Sequence, residues 1–195
     1  MKNTMIFLHG KGVPSKAPQY EIFKEVAAKE NADYLIIDAP FPHRDGFRWH
    51  NYNREPGEKS LQEFKSSLLH IETEAEKIMR ERGIGWSDII WIGHSQGSDM
   101  AIMTALKHGA KKVIGMMPSW EPEMLEKYYA KAIQNSYLDF PIYWVEAEND
   151  TVLSKERKAG WKKLKVLGAN VIHTISKGSG HDSYARTVLY YDTAQ

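Results

Sequence analysis

The run Ile-Ile-Trp-Ile at residues 89–92 is the feature that most narrows the possible folds of this 195-residue chain. Its large apolar residues follow one another without polar alternation, a pattern typical of a strand buried on both faces of a parallel sheet. Parallel strands need long crossover connections, which are usually helices. The run therefore predicts an α/β fold with helices on both faces of a sheet.

The rest of the chain repeats this alternation of short apolar runs with longer mixed-charge segments. Further strands are predicted at residues 5–8, 34–37, 112–117, 142–146 and 170–175. Helices are predicted at residues 19–30, 59–82, 96–108, 121–135, 155–167 and 183–191. The sequence thus predicts a three-layer α/β/α sandwich around a mostly parallel sheet of about six strands, with residues 1–195 forming one domain.

Residues 39–58 form the longest segment in which no helix or strand is predicted. Prolines and glycines punctuate it, and it is rich in aromatic side chains and histidine. Loops of this length inside a compact domain are usually functional or disordered, and the aromatic content argues against disorder. We therefore expect a functional loop.

Composition excludes several classes of function. The 26 basic and 25 acidic side chains give a net charge of +1, too little to attract nucleic acid or an anionic membrane surface. The lack of cysteine excludes disulfides, a thiolate nucleophile and a cysteine-based zinc site. No apolar stretch approaches the roughly 20 residues of a membrane span, and residues 5–8 are too short for a signal peptide. A cytoplasmic protein without a membrane span is expected.

The most informative motif is Gly93-His94-Ser95-Gln96-Gly97, a G-x-S-x-G between a predicted strand and a predicted helix. A nucleophile at such a turn has strained backbone geometry, and the flanking glycines avoid clashes. The helix N-terminus also points its amides at developing negative charge. An ordinary tight turn is the alternative interpretation, but the position between strand and helix favours Ser95 as a nucleophile.

A serine nucleophile needs a base to accept its proton and an acid to orient that base. The motif resembles the nucleophile elbow of α/β-hydrolases, in which the acid and then the histidine follow the serine at the ends of later strands. Asp150 follows the predicted strand 142–146, and His181 follows the predicted strand 170–175. They are the predicted orienting acid and general base.

Other acidic residues compete for the role of the orienting acid. Glu146 and Glu148 lie just before Asp150, and Asp182 adjoins His181. Each is alternatively a solvated loop charge. Asp150 is preferred because it lies in a turn that leads to a predicted helix.

Several of the eight histidines compete for the role of the base. Three fall within predicted helices or strands and are interpreted as surface or packing residues: His70, His108 and His173. His43 and His50 lie in the aromatic segment, where contact with substrate is possible. Of these six histidines, His181 is the one that combines a flanking glycine with a position just after a strand.

Acyl transfer also needs backbone N–H donors for the oxyanion of the tetrahedral intermediate. Gln96, which follows the nucleophile, is predicted to supply one. The second is predicted in the loop after the first strand, where Lys11 is preferred and Gly10 is the alternative. This loop lacks the phosphate-binding patterns G-x-x-x-x-G-K-[ST] and G-x-G-x-x-G, so nucleotide binding is not expected.

Together these motifs resemble the carboxylesterase, lysophospholipase and acyl-protein thioesterase branch of the α/β-hydrolases. The resemblance rests on Phe7-Leu8-His9-Gly10, Pro40 with Gly46-Phe47-Arg48-Trp49, Gly93 to Gly97, Met117-Pro118-Ser119-Trp120, Asn149-Asp150-Thr151-Val152 and Gly180-His181. It implies Ser–His–Asp catalysis with no metal and no cofactor. It also implies an acyl pocket for which Phe47, Trp49 and Trp120 are candidates, with aromatic packing over the sheet edge as the alternative for both tryptophans.

The sequence therefore predicts a serine hydrolase that cleaves ester or thioester bonds of small to medium acyl substrates. No large inserted segment is predicted after the strand at 112–117, so a large lid is not expected. Two alternatives stay open: a non-catalytic binding module on the same scaffold, and an acyltransferase or amidase that uses the same triad. The sequence predicts no oligomeric state.

Overall fold

The computed structural model describes residues 2–51, 58–119, 139–154, 159–186 and 188. Six of its strands form one sheet: β1 (Asn3–Leu8), β2 (Ala32–Ile37), β5 (Ile89–His94), β6 (Lys112–Met116), β7 (Ile142–Ala147) and β8 (Val171–Ser176). They lie in the order β2-β1-β5-β6-β7-β8, and all neighbours are parallel. The predicted parallel sheet of about six strands is confirmed.

Four α-helices have bounds within the described residues: α1 (Ile22–Lys29), α2 (Glu58–Arg82), α3 (Gln96–His108) and α4 (Gly160–Val166). Residues 184–186 and 188 are also helical. The helix predicted at 19–30 is divided into a short 3₁₀ segment, Pro18–Tyr20, and α1. The helix predicted at 121–135 lies outside the described residues, as do residues 155–158 of the helix predicted at 155–167.

Helices cover both faces of the sheet. One hydrophobic cluster packs α2, α3 and α4 against a face that includes Trp91 and Trp144. The other packs α1, Tyr184 and Val188 against a face that includes Phe7 and Ile92. Residues 89–92 are completely buried, as their continuous apolar run predicts. The architecture is the predicted three-layer α/β/α sandwich.

The segment 39–58 contains a hairpin that the sequence does not predict. Strands β3 (Phe41–His43) and β4 (Gly46–Arg48) pair antiparallel, and Arg44 in their turn has a φ of 54°. The hairpin is fixed to the loop after β1, because Gly12 N–H donates to the Phe47 carbonyl at 2.8 Å. It therefore stands beside that loop as a defined element, and the expectation of wholly irregular structure was wrong here.

The parallel arrangement places the carboxyl ends of all six strands at one edge of the sheet, where α/β proteins form their sites. Leu8, Gly93 and Gly115 are paired across β1, β5 and β6 near this edge. The loops after β1, β5, β7 and β8 therefore converge there.

None of the helices in the described part of the chain combines the length and apolarity that a membrane crossing requires.

Candidate active site

Ser95 lies at the tight turn between β5 and α3. Its φ of 50° and ψ of −122° are unusual for a residue with a side chain, and such strain persists only where surrounding contacts enforce it. Ser95 N–H donates to the carbonyl of Met116 at 2.8 Å, which ties the turn to the end of β6. The hydroxyl is thereby held above the sheet edge at the N-terminus of a 13-residue helix.

The two glycines of the motif are required by backbone packing. A Cβ on Gly97 would lie 2.1 Å from the carbonyl oxygen of Leu8 and 2.5 Å from that of His9. A Cβ on Gly93 would lie 2.5 Å from the carbonyl oxygen of Gly97. A side chain at Gly97 would force the first turn of α3 away from the end of β1, and one at Gly93 would force it away from β5.

Asp150, His181 and Ser95 form a continuous chain of contacts. His181 Nδ1 lies 2.7 Å from Asp150 Oδ2, and His181 Nε2 lies 3.0 Å from Ser95 Oγ. The loops after β7 and β8 are joined by a hydrogen bond from Asn149 N–H to the Ser179 carbonyl at 2.8 Å. The three residues therefore come from three different strand ends and meet at one point.

The environment of Asp150 favours its charged form. Burial alone would raise the pKa of this carboxyl, but the His181 ring and the backbone N–H groups of Leu153 and Val152 hold the pKa below its ordinary value. Those amides donate to Oδ1 at 3.1 and 2.8 Å, which leaves Oδ2 for His181. An ionised Asp150 accepts a hydrogen bond from Nδ1–H of His181, so Nε2 is the acceptor that faces the Ser95 hydroxyl.

The competing acids lie elsewhere. Glu148 pairs with Lys177 and accepts from Gly178 N–H, and Glu146 lies 3.1 Å from Nε2 of His173. Asp182 accepts a hydrogen bond from the Tyr184 hydroxyl at 2.9 Å. None of these carboxylates contacts Nδ1 of His181 as Asp150 does.

Of the remaining candidate bases, only His43 reaches the cavity that contains Ser95. His108 and His173 stack on Trp86 and Trp161. His70 is hydrogen-bonded to the Asp38 carbonyl, and His50 is buried against Phe64.

The cavity over Ser95 has a volume of about 530 Å³. Its described lining residues are Lys11, Val13, His43, Arg44, His94, Ser95, Gln96, Ser119, Val152, Leu153, His181 and Asp182. Both residues predicted as oxyanion donors, Gln96 and Lys11, are among them. The alternative donor, Gly10, instead donates its N–H to the Tyr20 hydroxyl at 3.1 Å, so its amide already has a partner in the core.

Two of the three pocket candidates lie within the described residues, and neither is among the described lining of this cavity. Trp49 fits the alternative interpretation, aromatic packing, because its indole is fully buried and its Nε1 donates to the His9 carbonyl at 2.8 Å. The side chain of Gln96 holds the same segment, since its Oε1 accepts from Trp49 N–H at 2.9 Å. Phe47 lies on β4, is 39% exposed and is absent from the described lining. Trp120 lies outside the described residues.

His94, within the motif, belongs to a buried network that the sequence analysis did not anticipate. Its ring lies between His181 and the Tyr20 hydroxyl, with Nε2 3.3 Å from the His181 carbonyl oxygen and Nδ1 3.4 Å from Tyr20 Oη. Burial, followed by the nearby charge of His181, lowers the pKa of His94 to about 3. A neutral ring thus links the loop after β1, through Tyr20 and Gly10, to the loop that carries His181.

One group of three side chains in the described residues could coordinate a metal ion. The possible ligand atoms of His94, His181 and Asp182 lie within 4.8 Å of one another. Both ring nitrogens of His181 already contact Asp150 and Ser95. Coordination at His181 would therefore compete with those contacts.

Comparisons with known proteins agree with this fold. A sequence profile of the phospholipase/carboxylesterase family matches residues 1–189. The solved structure of esterase PE8 superposes with a TM-score of 0.76 at 20% identity, covering 98% of this chain and 91% of that chain. Structures of SOBER1 from Arabidopsis thaliana and of a Bacillus cereus carboxylesterase give TM-scores of 0.73 and 0.70 at 18% and 17% identity. Each covers 100% of this chain, and 97% and 89% of the other chain.

A search of curated proteins found similarity over part of the chain. Hypoxia up-regulated protein 1 from Homo sapiens is 24% identical over 95 residues, which are 47% of this chain and 10% of that protein. The chain thus spans about a tenth of the length of the curated relatives that it matches. The likeness to the solved structures covers the whole sandwich and shows its fold.

Proposed function

Because the chain belongs to the phospholipase/carboxylesterase family, and is therefore an esterase-type hydrolase, we propose that it cleaves ester or thioester bonds of small to medium acyl substrates. Ser95 is the nucleophile, His181 the general base and Asp150 the orienting acid. The observation that carries the proposal is the chain of contacts from Asp150 Oδ2 through His181 to Ser95 Oγ, at 2.7 and 3.0 Å. These distances are within hydrogen-bond reach, as proton transfer requires.

In the first half of the cycle, Ser95 Oγ attacks the carbonyl carbon of the ester while its proton passes to His181 Nε2. The negative charge that forms on the carbonyl oxygen is stabilised by the backbone amides of Gln96 and Lys11. His181 then gives its proton to the leaving alcohol or thiol. The products of this half are the free alcohol or thiol and an acyl group covalently bound to Ser95.

In the second half, His181 takes a proton from water, and the oxygen of that water attacks the acyl carbon. The intermediate collapses with return of the proton to Ser95 and release of a carboxylic acid. Asp150 stays ionised through both halves and stabilises the charged imidazole. The low pKa of Asp150 supports this role, because the carboxylate is available throughout the neutral pH range.

The size of the cavity supports small to medium substrates. Its volume of about 530 Å³ falls within the roughly 300–1,000 Å³ of small-molecule sites. An acceptor other than water, or an amide substrate, would use the same residues. A single domain over residues 1–195 without a large lid, and a cytoplasmic location, belong to the same proposal.

Covalent labelling with a fluorophosphonate, followed by intact-mass measurement, tests the proposal. We expect one adduct on the wild-type chain, none on Ser95→Ala and strongly slowed labelling of His181→Ala. Ser119→Ala is the matched control, because Ser119 lines the same cavity while its hydroxyl donates to Asp99 at 2.5 Å. The control should label at the wild-type rate.

Two results would contradict the assignment. An adduct that persists on Ser95→Ala would mean that another residue is the nucleophile. A folded wild-type chain that never labels would favour a scaffold that binds without cleaving.

A further inference from the structure

Three basic side chains gather on one wall of the cavity that contains Ser95. Lys11 comes from the loop after β1, His43 ends strand β3, and Arg44 lies in the turn of the β3–β4 hairpin. The whole chain has a net charge of only +1. This local concentration of positive charge is therefore a feature of the site and not of the overall composition.

The hairpin is positioned firmly enough to hold these groups together. A Cβ placed on Gly12 would lie 3.3 Å from His43 Cδ2 and 4.0 Å from Arg44 Cδ, so both side chains fold back over the loop that carries Lys11. Val13 and Phe47 form a β-bridge between the loop and the hairpin. A Cβ on Gly46 would lie 2.5 Å from the backbone of Val13. Backbone contacts between the hairpin and the loop after β1 thus fix the positions of Lys11, His43 and Arg44 relative to one another.

Carboxylates are sparse in the described lining of this cavity. Asp182 is the one carboxylate in the described lining, and it accepts a hydrogen bond from Tyr184. Arg48, on the same hairpin, is paired with Glu63 at 3.1 Å. Among the described residues Arg44 makes no ion pair, so its guanidinium is available to a bound anion.

The titration of His43 reflects the same charge. Partial loss of hydration, followed by the charges of Lys11, Arg44 and Arg48, holds the pKa of His43 below its ordinary value. The His43 ring is therefore neutral near pH 7 and offers a hydrogen bond, while Lys11 and Arg44 carry the positive charge of the wall. The remaining lining includes the apolar side chains Val13, Val152 and Leu153, which suit a short hydrocarbon segment.

We propose that the substrate of this site is an ester or thioester that carries an anionic group, a carboxylate or a phosphate, bound by Arg44, His43 and Lys11. Guanidinium and ammonium groups are the usual partners of these anions, and arginine can bind them through two parallel hydrogen bonds. The inference rests on the proposed function, since it assumes that the scissile carbonyl lies at Ser95. It adds the chemical class of the substrate.

The test compares substrates that differ only in charge. The first arm uses the para-nitrophenyl monoester of adipic acid and the same ester with a terminal carboxamide, so the anion lies on the acyl side. The second arm uses acetylglycerol phosphate and monoacetylglycerol, so the anion lies on the alcohol side. The quantity measured is the ratio of kcat/KM for the charged and neutral member of each pair.

Arg44→Gln is the informative variant because Arg44 has no role in the proposed chemistry. We expect wild type to prefer the charged member of at least one pair, and Arg44→Gln to lower that ratio by about fivefold, as for loss of one partly exposed charge contact. The rate on the neutral ester should stay unchanged, which separates this effect from misfolding. Arg44→Lys should retain part of the preference.

Arg80→Gln is the matched control. Arg80 is exposed near the C-terminal end of α2, which leads into β5 at the edge of the sheet opposite the cavity. Its substitution by glutamine changes the net charge by the same amount as Arg44→Gln. Raising the salt concentration from about 0.02 to about 0.5 M should reduce the preference of wild type and have little effect on Arg44→Gln.

Equal kcat/KM for charged and neutral esters in both arms would overturn the inference while leaving the hydrolase assignment intact. A preference that is unaffected by Arg44→Gln would also overturn it, because the anion would then bind elsewhere. Absence of hydrolysis of every ester, together with absence of fluorophosphonate labelling, would instead overturn the proposed function.

Discussion

His181 Nδ1 lies 2.7 Å from Oδ2 of Asp150, although the two residues are 31 positions apart. The other oxygen of this carboxylate accepts from the backbone amides of Val152 and Leu153. Asp150 is thus fixed by its own loop and in turn fixes the His181 ring. An amide at this position would present a donor as readily as an acceptor, and the ring would lose its preferred tautomer.

Asp150→Asn should therefore lower kcat by about 10³- to 10⁴-fold, with much smaller effects on folding. Glu148→Gln is the control, since Glu148 lies two residues away but pairs with Lys177 at the surface. Steady-state kinetics on a para-nitrophenyl ester checks both. Similar losses in the two variants would show that Asp150 has no special role.

Gly97→Ala should prevent stable folding or lower the melting temperature by well over 10 °C, because the new Cβ would lie 2.1 Å from the Leu8 carbonyl oxygen. The control is Gly85→Ala, where the nearest atom to the new Cβ is 3.8 Å away and the φ is −112°. Its change in unfolding free energy should be within about 0.5 kcal/mol. Thermal denaturation followed by circular dichroism measures both, and equal melting temperatures would contradict the packing argument.

Tyr20→Phe removes the hydroxyl that accepts the N–H of Gly10 in a buried environment. The unpartnered amide should cost about 1–3 kcal/mol of unfolding free energy, and kcat/KM should fall because the loop after β1, which carries the proposed donor Lys11, loses its support. Tyr34→Phe is the control, since the buried Tyr34 hydroxyl has no hydrogen-bond partner among the described residues. Urea denaturation should show that Tyr34→Phe is as stable as wild type or more stable. Equal destabilisation of both variants would contradict the role of Tyr20.

Acid should destabilise the fold through His94. In the unfolded chain this residue binds a proton below about pH 6.5. In the folded chain it does so only near pH 3, because burial lowers the pKa of its ring to about 3. The free energy of unfolding should thus fall with decreasing pH across this window, by up to about 1.4 kcal/mol per pH unit from this one group. The variant His94→Phe should lose that part of the slope.

Urea denaturation of both proteins between about pH 6.5 and about pH 4.5 measures the difference in slope. His9, whose pKa burial also lowers, contributes equally to both proteins and cancels. Asp150 loses its contribution only at lower pH, because its pKa lies below the ordinary value. Parallel slopes for wild type and His94→Phe would contradict the assignment.

The parallel sheet could be predicted because burial on both faces leaves a continuous apolar run for each strand, as in residues 89–92. The β3–β4 hairpin could not be predicted from the sequence. Its strands have three residues each and include Pro42, so no periodicity is visible, and its position depends on contacts with Gly12 and Val13.

Part of the candidate site could be predicted for a similar reason. Ser95, Asp150 and His181 each follow a strand, and parallel strands end at one edge of the sheet, so chain order alone brings them together. Trp49 and Tyr20 gave no such signal. The partner of the Trp49 indole is the carbonyl of His9, 40 positions away, and Tyr20 meets His94 across 74 positions. Such contacts are decided by the packed tertiary structure, and no local pattern encodes them.

The close approach of Gly97 to the carbonyls of Leu8 and His9 also constrains how activity arises during folding. The turn that carries Ser95 and the loop after β1 acquire their relative positions only when β1 docks beside β5, a pairing between segments far apart in sequence. Contacts of such long range form slowly compared with helices. Recovery of esterase activity during refolding would thus report the assembly of the centre of the sheet, after helical circular dichroism has already returned.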